Sequence, residues 1–507
     1  MMRSIFNKTV SAVMLITVTG KILGLLRDRM QAVRFGQDTA EAVAFMQAST
    51  LPRIFLDMMF ASVFSASFIP VFNDYLEKKG KQAAFDIAAL FITVILILTG
   101  VFTLLCVIAA PGLYGMFLDG PAITAETRAL GVVLLRIMLP LIVLSGLAFS
   151  LTGILQSLGE FNLPAAMSVA SNGVIIIYYF FFIDRFGVVG LSIAFLIGWA
   201  AQSLIQVPFL VKSRFRFRVR LNLRDPGLKQ IAVLTLPVIA ASWVGPVNLA
   251  VNGKAAAALQ TGGYAALHFA YNLFTIISGV FVLSVANIIF PKLSKQTASK
   301  DGEGFAETMG DTLRGLAFIL LPMTLGIIAV SEPLIRLIYQ GGLFQDSAVG
   351  LTKTALLYFA PGIPGYGVQV ILSRAFYARF DGKTPLRAAV FAIAINAVLS
   401  FTLLKPLGIA GPALASSVSI TAAALYMLII AARRGYIRVS GPMLFDLLKM
   451  ALMAVLMFVC VIFLRDVLTA RASAGLLSRL LTLGLPVSLG ALVYIGGCFL
   501  LKIDIRG

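Results

Sequence analysis

Apolar segments long enough to cross a bilayer recur from one end of the 507-residue chain to the other. Hydrophobic residues make up 59% of the chain and charged residues only 12%, too few for the surface of a soluble protein of this size. A criterion of roughly 20 apolar residues per helix predicts about fourteen transmembrane helices. Their predicted limits are 8–33, 40–76, 83–110, 127–157, 162–183, 187–212, 228–258, 264–294, 308–337, 348–377, 385–404, 408–432, 443–466 and 476–501. The sequence therefore predicts an all-α polytopic membrane protein.

Basic residues concentrate in alternate loops between these segments. Lys78, Lys79 and Lys81 join the second and third spans, and a dense run of Lys and Arg occupies 212–229. Lys and Arg are absent from the intervening loops 111–126, 259–263 and 338–347. Because cytoplasmic loops carry the excess of Lys and Arg, both termini are expected in the cytoplasm. The exceptions to this pattern are Arg185, Lys405 and three arginines in 465–479.

An internal repeat is visible when the chain is shifted by 221 residues. The coinciding pairs are Pro70 and Pro291, Pro140 and Pro361, Pro164 and Pro385, and Glu160 and Asp381. The repeat predicts two six-helix lobes, at 1–213 and 228–434, joined by a basic cytoplasmic linker at 214–227, with two additional helices at 435–507. Because each lobe has an even number of spans, both copies are expected to share one orientation in the membrane.

Charged residues lie inside several of the predicted spans. Lys21, Arg27 and Asp28 are in the first, Arg53 is in the second and Lys254 is in the seventh. A charge at membrane depth costs about 2.5–3.5 kcal/mol on insertion scales, so it normally faces a wet cavity or a partner. We expect a cavity that receives an anionic headgroup, because the arginine fork donates two parallel hydrogen bonds to phosphate. For Arg53 the alternatives are snorkelling to the interface and a structural ion pair.

Signatures of catalysis are lacking in the sequence. It contains no complete phosphate-binding glycine loop, its sole histidine is His268, and Cys106, Cys460 and Cys498 all sit in apolar runs. This pattern predicts neither a disulfide framework nor a metal site. We expect a protein that is not an enzyme, has no cofactor, and draws its energy from the membrane potential or a monovalent ion.

The basic segment 214–220 alternates Arg with apolar residues. Such a segment is compatible with nucleic-acid binding, but its position beside the end of a span favours contact with anionic lipid. No nucleic-acid partner is therefore predicted.

Three motifs resemble the opening signature of the MurJ/MviN lipid II flippases: residues 24–29 (Gly-Leu-Leu-Arg-Asp-Arg), Phe35-Gly36 and residues 64–72. Residues 289–294 resemble the end of the eighth span of that family. The resemblance implies the fold of multidrug/oligosaccharidyl-lipid/polysaccharide exporters, with a groove between the last two spans for an undecaprenyl tail. It also implies a monomer in the bacterial cytoplasmic membrane that flips lipid II outward by alternating access, for peptidoglycan synthesis and cell shape.

The resemblance assigns substrate-binding residues by position. Lys21, Arg27 and Asp28 match the cavity residues of the first span, with Lys21 replacing an arginine, and Arg53 lies near the arginines of the second. In the eighth span, residues 270–272 read Ala-Tyr-Asn where the family commonly has Ala-Asp-Arg, so a cavity arginine is missing. We hypothesise that Lys254 supplies this charge.

Two alternative functions stay open at this point. An exporter of the same superfamily could carry another lipid-linked oligosaccharide or a cationic drug, although a drug site would favour acidic residues over this basic set. A membrane-embedded glycosyltransferase or polymerase would need clustered carboxylates or a metal, and the 22 Asp and Glu residues lie mostly in loops. The pyrophosphate-linked lipid is therefore the preferred substrate.

Overall fold

The computed structural model describes residues 2–36, 38–54, 67–117, 123–242, 251–255, 263–438, 441–470, 475–501 and 503. The described chain is helical apart from turns, short connections and one isolated bridge between Gly341 and Phe344. It divides into two compact units, Met1–Tyr264 and Ala265–Gly507. The lobe boundary predicted at 214–227 stays a prediction.

The described part of the first unit contains the following helices of six or more residues. They are α1 Met2–Phe35, α2 Ala40–Ile54, α3 Ile69–Ile108, α4 Ala110–Phe117, α5 Ala125–Met138, α6 Leu141–Ser157, α7 Asn162–Phe181, α8 Ile183–Leu204, α9 Val207–Lys212 and α10 Pro226–Ser242. In this first unit α1 packs on α7, α7 on α8, α2 on α5, and α3 on α6. The aromatic rings of Phe68 and Phe91 stack at 4.7 Å between centroids in its apolar core.

The described part of the second unit contains the following helices, of which α11 starts two residues before the division. They are α11 Gly263–Ala298, α12 Gly302–Ile338, α13 Asp346–Phe359, α14 Gly362–Ala378, α15 Lys383–Thr402, α16 Leu404–Leu407, α17 Ala410–Arg433, α18 Gly441–Ala470 and α19 Leu476–Leu500. In the second unit α17 packs on α14 and α15, while α18 and α19 pack on each other and on α12. Flexible methionines fill the seam of the last two helices, where Met453 and Met457 pack near Tyr494 and Cys498.

Within the described ranges, helices occupy the segments that the apolar runs predict, which confirms the all-α membrane fold. Ten stretches of described helix are long and apolar enough to cross a membrane, or eleven if α13 and α14, bent by 49°, form one span. The number of fourteen stays a prediction. The basic loop predicted after the second span is a break at Gly80, whose φ of 85° interrupts α3.

The residues of the sequence repeat adopt the same local geometry in each unit. Pro140 and Pro361 both precede a helix, with φ of −59° and −58°. Glu160 Oε1 accepts hydrogen bonds from the backbone N–H of Asn162 and Leu163 at 2.8 and 3.1 Å. In the second unit, Asp381 Oδ1 likewise accepts hydrogen bonds from the backbone N–H of Lys383 and Thr384 at 2.9 and 3.0 Å. In both units a carboxylate thus satisfies the otherwise unpaired N–H groups at the start of a helix.

Candidate functional site

Two small residues on α1 let it approach α7 closely. A Cβ built on Gly20 would lie 2.2 Å from Ser168 Oγ, and one on Gly24 would lie 3.5 Å from Asn172 Nδ2. Gly20, Gly24 and Asp28 follow each other at intervals of four, so they share one helical face. In an apolar environment, small residues of this kind permit close helix packing and short polar contacts between helices.

Arg27 forms the centre of a polar cluster at this contact. Its Nε and Nη2 donate to Asp28 Oδ1 at 3.0 and 2.7 Å, and its Nη1 donates to Asn172 Oδ1 at 3.0 Å. Asn172 Nδ2 in turn donates to the backbone oxygen of Gly20 at 3.2 Å. The amide of Asn172 therefore ties the guanidinium on α1 to the backbone of the same helix two turns earlier.

Apolar and aromatic groups surround the cluster. The side chains of Arg27 and Asp28 are 17% and 8% exposed. The guanidinium carbon of Arg27 lies 5.6 Å from the centre of the Phe195 ring, which meets Phe45 edge to face at 5.3 Å. Charge interactions are stronger in such a poorly hydrated setting than at a surface. Asp28 offsets the charge of Arg27, so the pair alone carries no net positive charge.

Lys21 and Arg29 flank the cluster on α1. Lys21 is exposed although it shares a face with buried Asp28, and Arg29 is half-buried. The helical surface beside Lys21 carries the exposed side chains of Leu15 and Ile22. The structure thus brings Arg27 and Asp28 into direct contact, whereas Lys21 is separate from the pair.

Lys254 lies in the short helical segment 251–255. Its Nζ donates to the backbone oxygen of Met116 at 3.0 Å, and its side chain is exposed. Gly253 is buried against the ring of Tyr264, whose hydroxyl hydrogen-bonds to Thr50. These contacts fix the position of Lys254 within the first unit. The side chain of Arg53 lies outside the described residues.

The eighth predicted span corresponds to α11. His268 Nε2 and Asn272 Nδ2 are 3.3 Å apart, and Tyr271 stacks on Phe274 with 6.0 Å between ring centres. His268 therefore contacts Asn272 one turn later on the same helix. Within the described ranges, no group of three or more His, Cys, Asp and Glu residues could hold a metal ion.

The residues that position Arg27 were missed by sequence reasoning. Asn172 and Phe195 belong to α7 and α8, far along the chain from α1. The available signal was Asn172 itself, because a carboxamide inside an apolar span needs a hydrogen-bonding partner. Its partner could not be read from the sequence, since that requires knowing which helices touch.

Comparisons with known proteins point to one family over nearly the whole chain. A family model described as Lipid II flippase MurJ matches residues 32–482. A probable lipid II flippase MurJ from Vibrio cholerae is 28% identical over 504 residues, covering 97% of this chain and 95% of the relative. A probable lipid II flippase MurJ from Rickettsia prowazekii is 25% identical, with 96% of each chain covered.

Solved structures share the fold. A lipid II flippase MurJ in an inward closed conformation superposes with a TM-score of 0.78 at 24% identity, covering 97% of this chain and 99% of that one. An inward-facing multidrug resistance MATE transporter of the MOP superfamily gives a TM-score of 0.69 at 17% identity, covering 84% and 98%. Because the family model spans most of the sequence, the chain belongs to the MurJ lipid II flippase family.

Proposed function

We propose that this protein flips lipid II from the cytoplasmic to the outer leaflet of the bacterial cytoplasmic membrane. The observation that carries the proposal is the family match over residues 32–482. The buried cluster of Arg27, Asp28 and Asn172 supports it. Charged groups inside membrane spans are costly, and where they occur they usually serve a function. Transport of this kind moves a lipid without making or breaking a covalent bond.

Arg27 is the proposed ligand of the pyrophosphate. Asp28 accepts hydrogen bonds from Nε and Nη2 of Arg27. A pair of phosphate oxygens would accept hydrogen bonds from the same two donors. The carboxylate of Asp28 therefore holds the guanidinium when no headgroup is bound. Pyrophosphate would replace this carboxylate on binding, and Asp28 would take its place again when the headgroup leaves.

Lys21, Lys254 and Arg53 are proposed to supply the positive charge that the Arg27–Asp28 pair lacks. Lys21 and Lys254 have exposed side chains that an anionic ligand can reach. Lys254 is held by Met116 at a defined place in the first unit, which suits a residue that replaces the missing arginine of the eighth span. Two or more cations favour a doubly phosphorylated lipid over a neutral one.

Alternating access of a monomer would move the headgroup across, driven by the membrane potential or a monovalent ion. Both termini would lie in the cytoplasm, because the basic loops alternate along the chain.

Substitution of the central pair tests the proposal. In cells depleted of their own flippase, Arg27→Ala and Asp28→Ala should each abolish complementation, so that lipid II accumulates in the cytoplasmic leaflet. Arg34→Ala is the matched control, because Arg34 lies on the same helix but pairs with Asp184 at an exposed position. The amount of each variant in the membrane is measured alongside, since the pair should not be needed for insertion.

Normal flipping by the doubly substituted protein would contradict the proposed site. Lys254→Ala is examined in the same cells, and unchanged flipping would remove Lys254 from the set. If the unmodified protein exported a different lipid-linked oligosaccharide but did not flip lipid II, that other lipid would be favoured as the substrate.

A further inference from the structure

A polar cavity lies in the second unit, where the ends of four helices meet. Its volume is about 380 Å³, within the range of roughly 300–1,000 Å³ that is typical of small-molecule sites. The end of α12, the start of α13, the end of α18 and the start of α19 enclose it. Its lining residues are Glu332, Pro333, Arg336, Gln340, Lys353, Arg465, Asp466, Thr469, Ser478, Arg479 and Thr482.

Positive charge exceeds negative charge in this lining, with four basic and two acidic side chains. Glu332 is shared between Arg336, at 2.9 Å, and Lys353, at 2.7 Å. Arg465 pairs with Asp466 at 2.7 Å, and the Asp466 side chain is 61% exposed. Arg336 also pairs with Asp346, which lies just outside the lining, so three carboxylates hold the four cations and leave an excess of one positive charge.

Arg479 contributes a cation with no carboxylate partner among the described residues. Its Nη1 lies 3.5 Å from the backbone oxygen of Arg336, and its side chain is exposed. Hydroxyl groups of Thr469, Ser478 and Thr482 line the same cavity. Guanidinium and hydroxyl donors around one cavity match the hydrogen-bonding needs of a phosphate.

The position of these arginines in the chain is unusual. Arg465 and Arg479 belong to the 465–479 segment, which breaks the alternation of basic loops. The cavity also adjoins the loop 338–347, which has no Lys or Arg, so the charge pattern places this end of the helices outside the cytoplasm. Basic residues are disfavoured at that end, and their clustering around a cavity points to a ligand.

Apolar helical surface continues from the cavity. Phe463 on α18 is 70% exposed, and Leu477 on α19 is 71% exposed. In the apolar 18-residue stretches of α18 and α19, only 28% and 22% of the residues are buried inside the protein. A lipid chain can therefore lie along either helix while the headgroup of the same lipid enters the cavity.

We propose that this cavity, lined by Arg336, Arg465 and Arg479, binds the phosphate of an anionic lipid in the outer leaflet. The site shares no residue with the proposed flipping site of the first unit. The positive excess selects a headgroup with net negative charge, and the apolar faces of α18 and α19 favour a phosphate that is attached to a lipid.

Lipid binding by the purified full-length protein tests the proposal. Native mass spectrometry measures the affinity for dioleoylphosphatidylglycerol, for the zwitterionic dioleoylphosphatidylcholine and for inorganic phosphate. The doubly substituted Arg465→Gln/Arg479→Gln protein should lose about tenfold or more of its affinity for phosphatidylglycerol, because each charge-assisted hydrogen bond contributes strongly. Lys405→Gln is the matched control, since Lys405 is an exposed base on the short helix α16, on the same predicted side of the membrane.

The single Arg479→Gln variant tests the site without disturbing the fold, because Arg479 makes no ion pair within the described residues. Its thermal midpoint of unfolding should equal that of the unmodified protein. Unaltered phosphatidylglycerol binding by both variants would overturn the proposal. Equal affinity for phosphatidylcholine would exclude selection of net charge, and equal affinity for inorganic phosphate would exclude the lipid. The binding measurement contains no lipid II, so its outcome is separate from the proposed flipping function.

Discussion

At the scale of single residues, Asn172 decides how Arg27 is presented. It accepts from the guanidinium with its oxygen and donates to the Gly20 backbone with its nitrogen, so both ends of the carboxamide are used. A longer or apolar side chain cannot make both contacts at once. Asn172 is therefore a positioning residue, which acts on the headgroup through Arg27.

Asn172→Leu should leave Arg27 without one acceptor while keeping a similar side-chain volume. Loss of a hydrogen bond to a charged group costs about 1.5–3 kcal/mol, so we expect the affinity for a lipid-linked pyrophosphate to fall by about tenfold or more. Binding of lipid II to the purified protein measures this. Ser168→Ala, one turn earlier on the same face of α7, is the control and should bind normally. Equal losses in both variants would indicate a general disturbance of the α1–α7 contact.

At the scale of helices, a carboxylate at the same position of the sequence repeat caps a helix in each unit. Glu160 and Asp381 each hold two backbone N–H groups, but Asp381 also pairs with Arg434. Burial opposes ionisation of Asp381, yet hydrogen bonds from Thr384 and from the Arg434 guanidinium outweigh it and lower its pKa to about 2. The ionised carboxylate therefore stabilises the turn between α14 and α15.

Asp381→Asn should destabilise the second unit by about 2 kcal/mol at neutral pH, since its pKa lies about two units below an ordinary value near 4. A depressed pKa contributes stability that is present above pH 4 and is lost as the pH falls through 2. The cost of the substitution should shrink over that interval. Loss of the helical circular dichroism signal on heating measures unfolding at pH 7 and across that interval. Glu160→Gln is the control, and a cost equal to that of Asp381→Asn would argue against a contribution from charge.

Much of this architecture could be predicted from the sequence. Apolar length located the helices, and the matching prolines and carboxylates located the repeated turns, because these features act within a few neighbouring residues. Contacts between distant helices could not be predicted in the same way. The pairing of Arg27 with Asn172 depends on α1 lying against α7, and the cavity at Arg479 depends on four helix ends meeting.

At the scale of the whole molecule, the alternation of basic loops predicts the membrane orientation of the spans. One rule therefore predicts the side on which each site opens. The cavity at Arg479 and the turn at 341–344 belong to the end predicted to be outside. The connection between α11 and α12, which carries Lys300, belongs to the end predicted to be inside.

Cysteine labelling in intact cells checks this orientation. In a background with the three native cysteines replaced, Leu343→Cys should react with a membrane-impermeant maleimide, whereas Ser299→Cys should react only after the cells are permeabilised. Both positions are exposed on the protein, so any difference in labelling reports the membrane side and not burial. The reverse pattern would place the arginine cavity in the cytoplasm. It would thereby contradict both the outer-leaflet lipid site and the outward direction of transport, because the two depend on the same orientation.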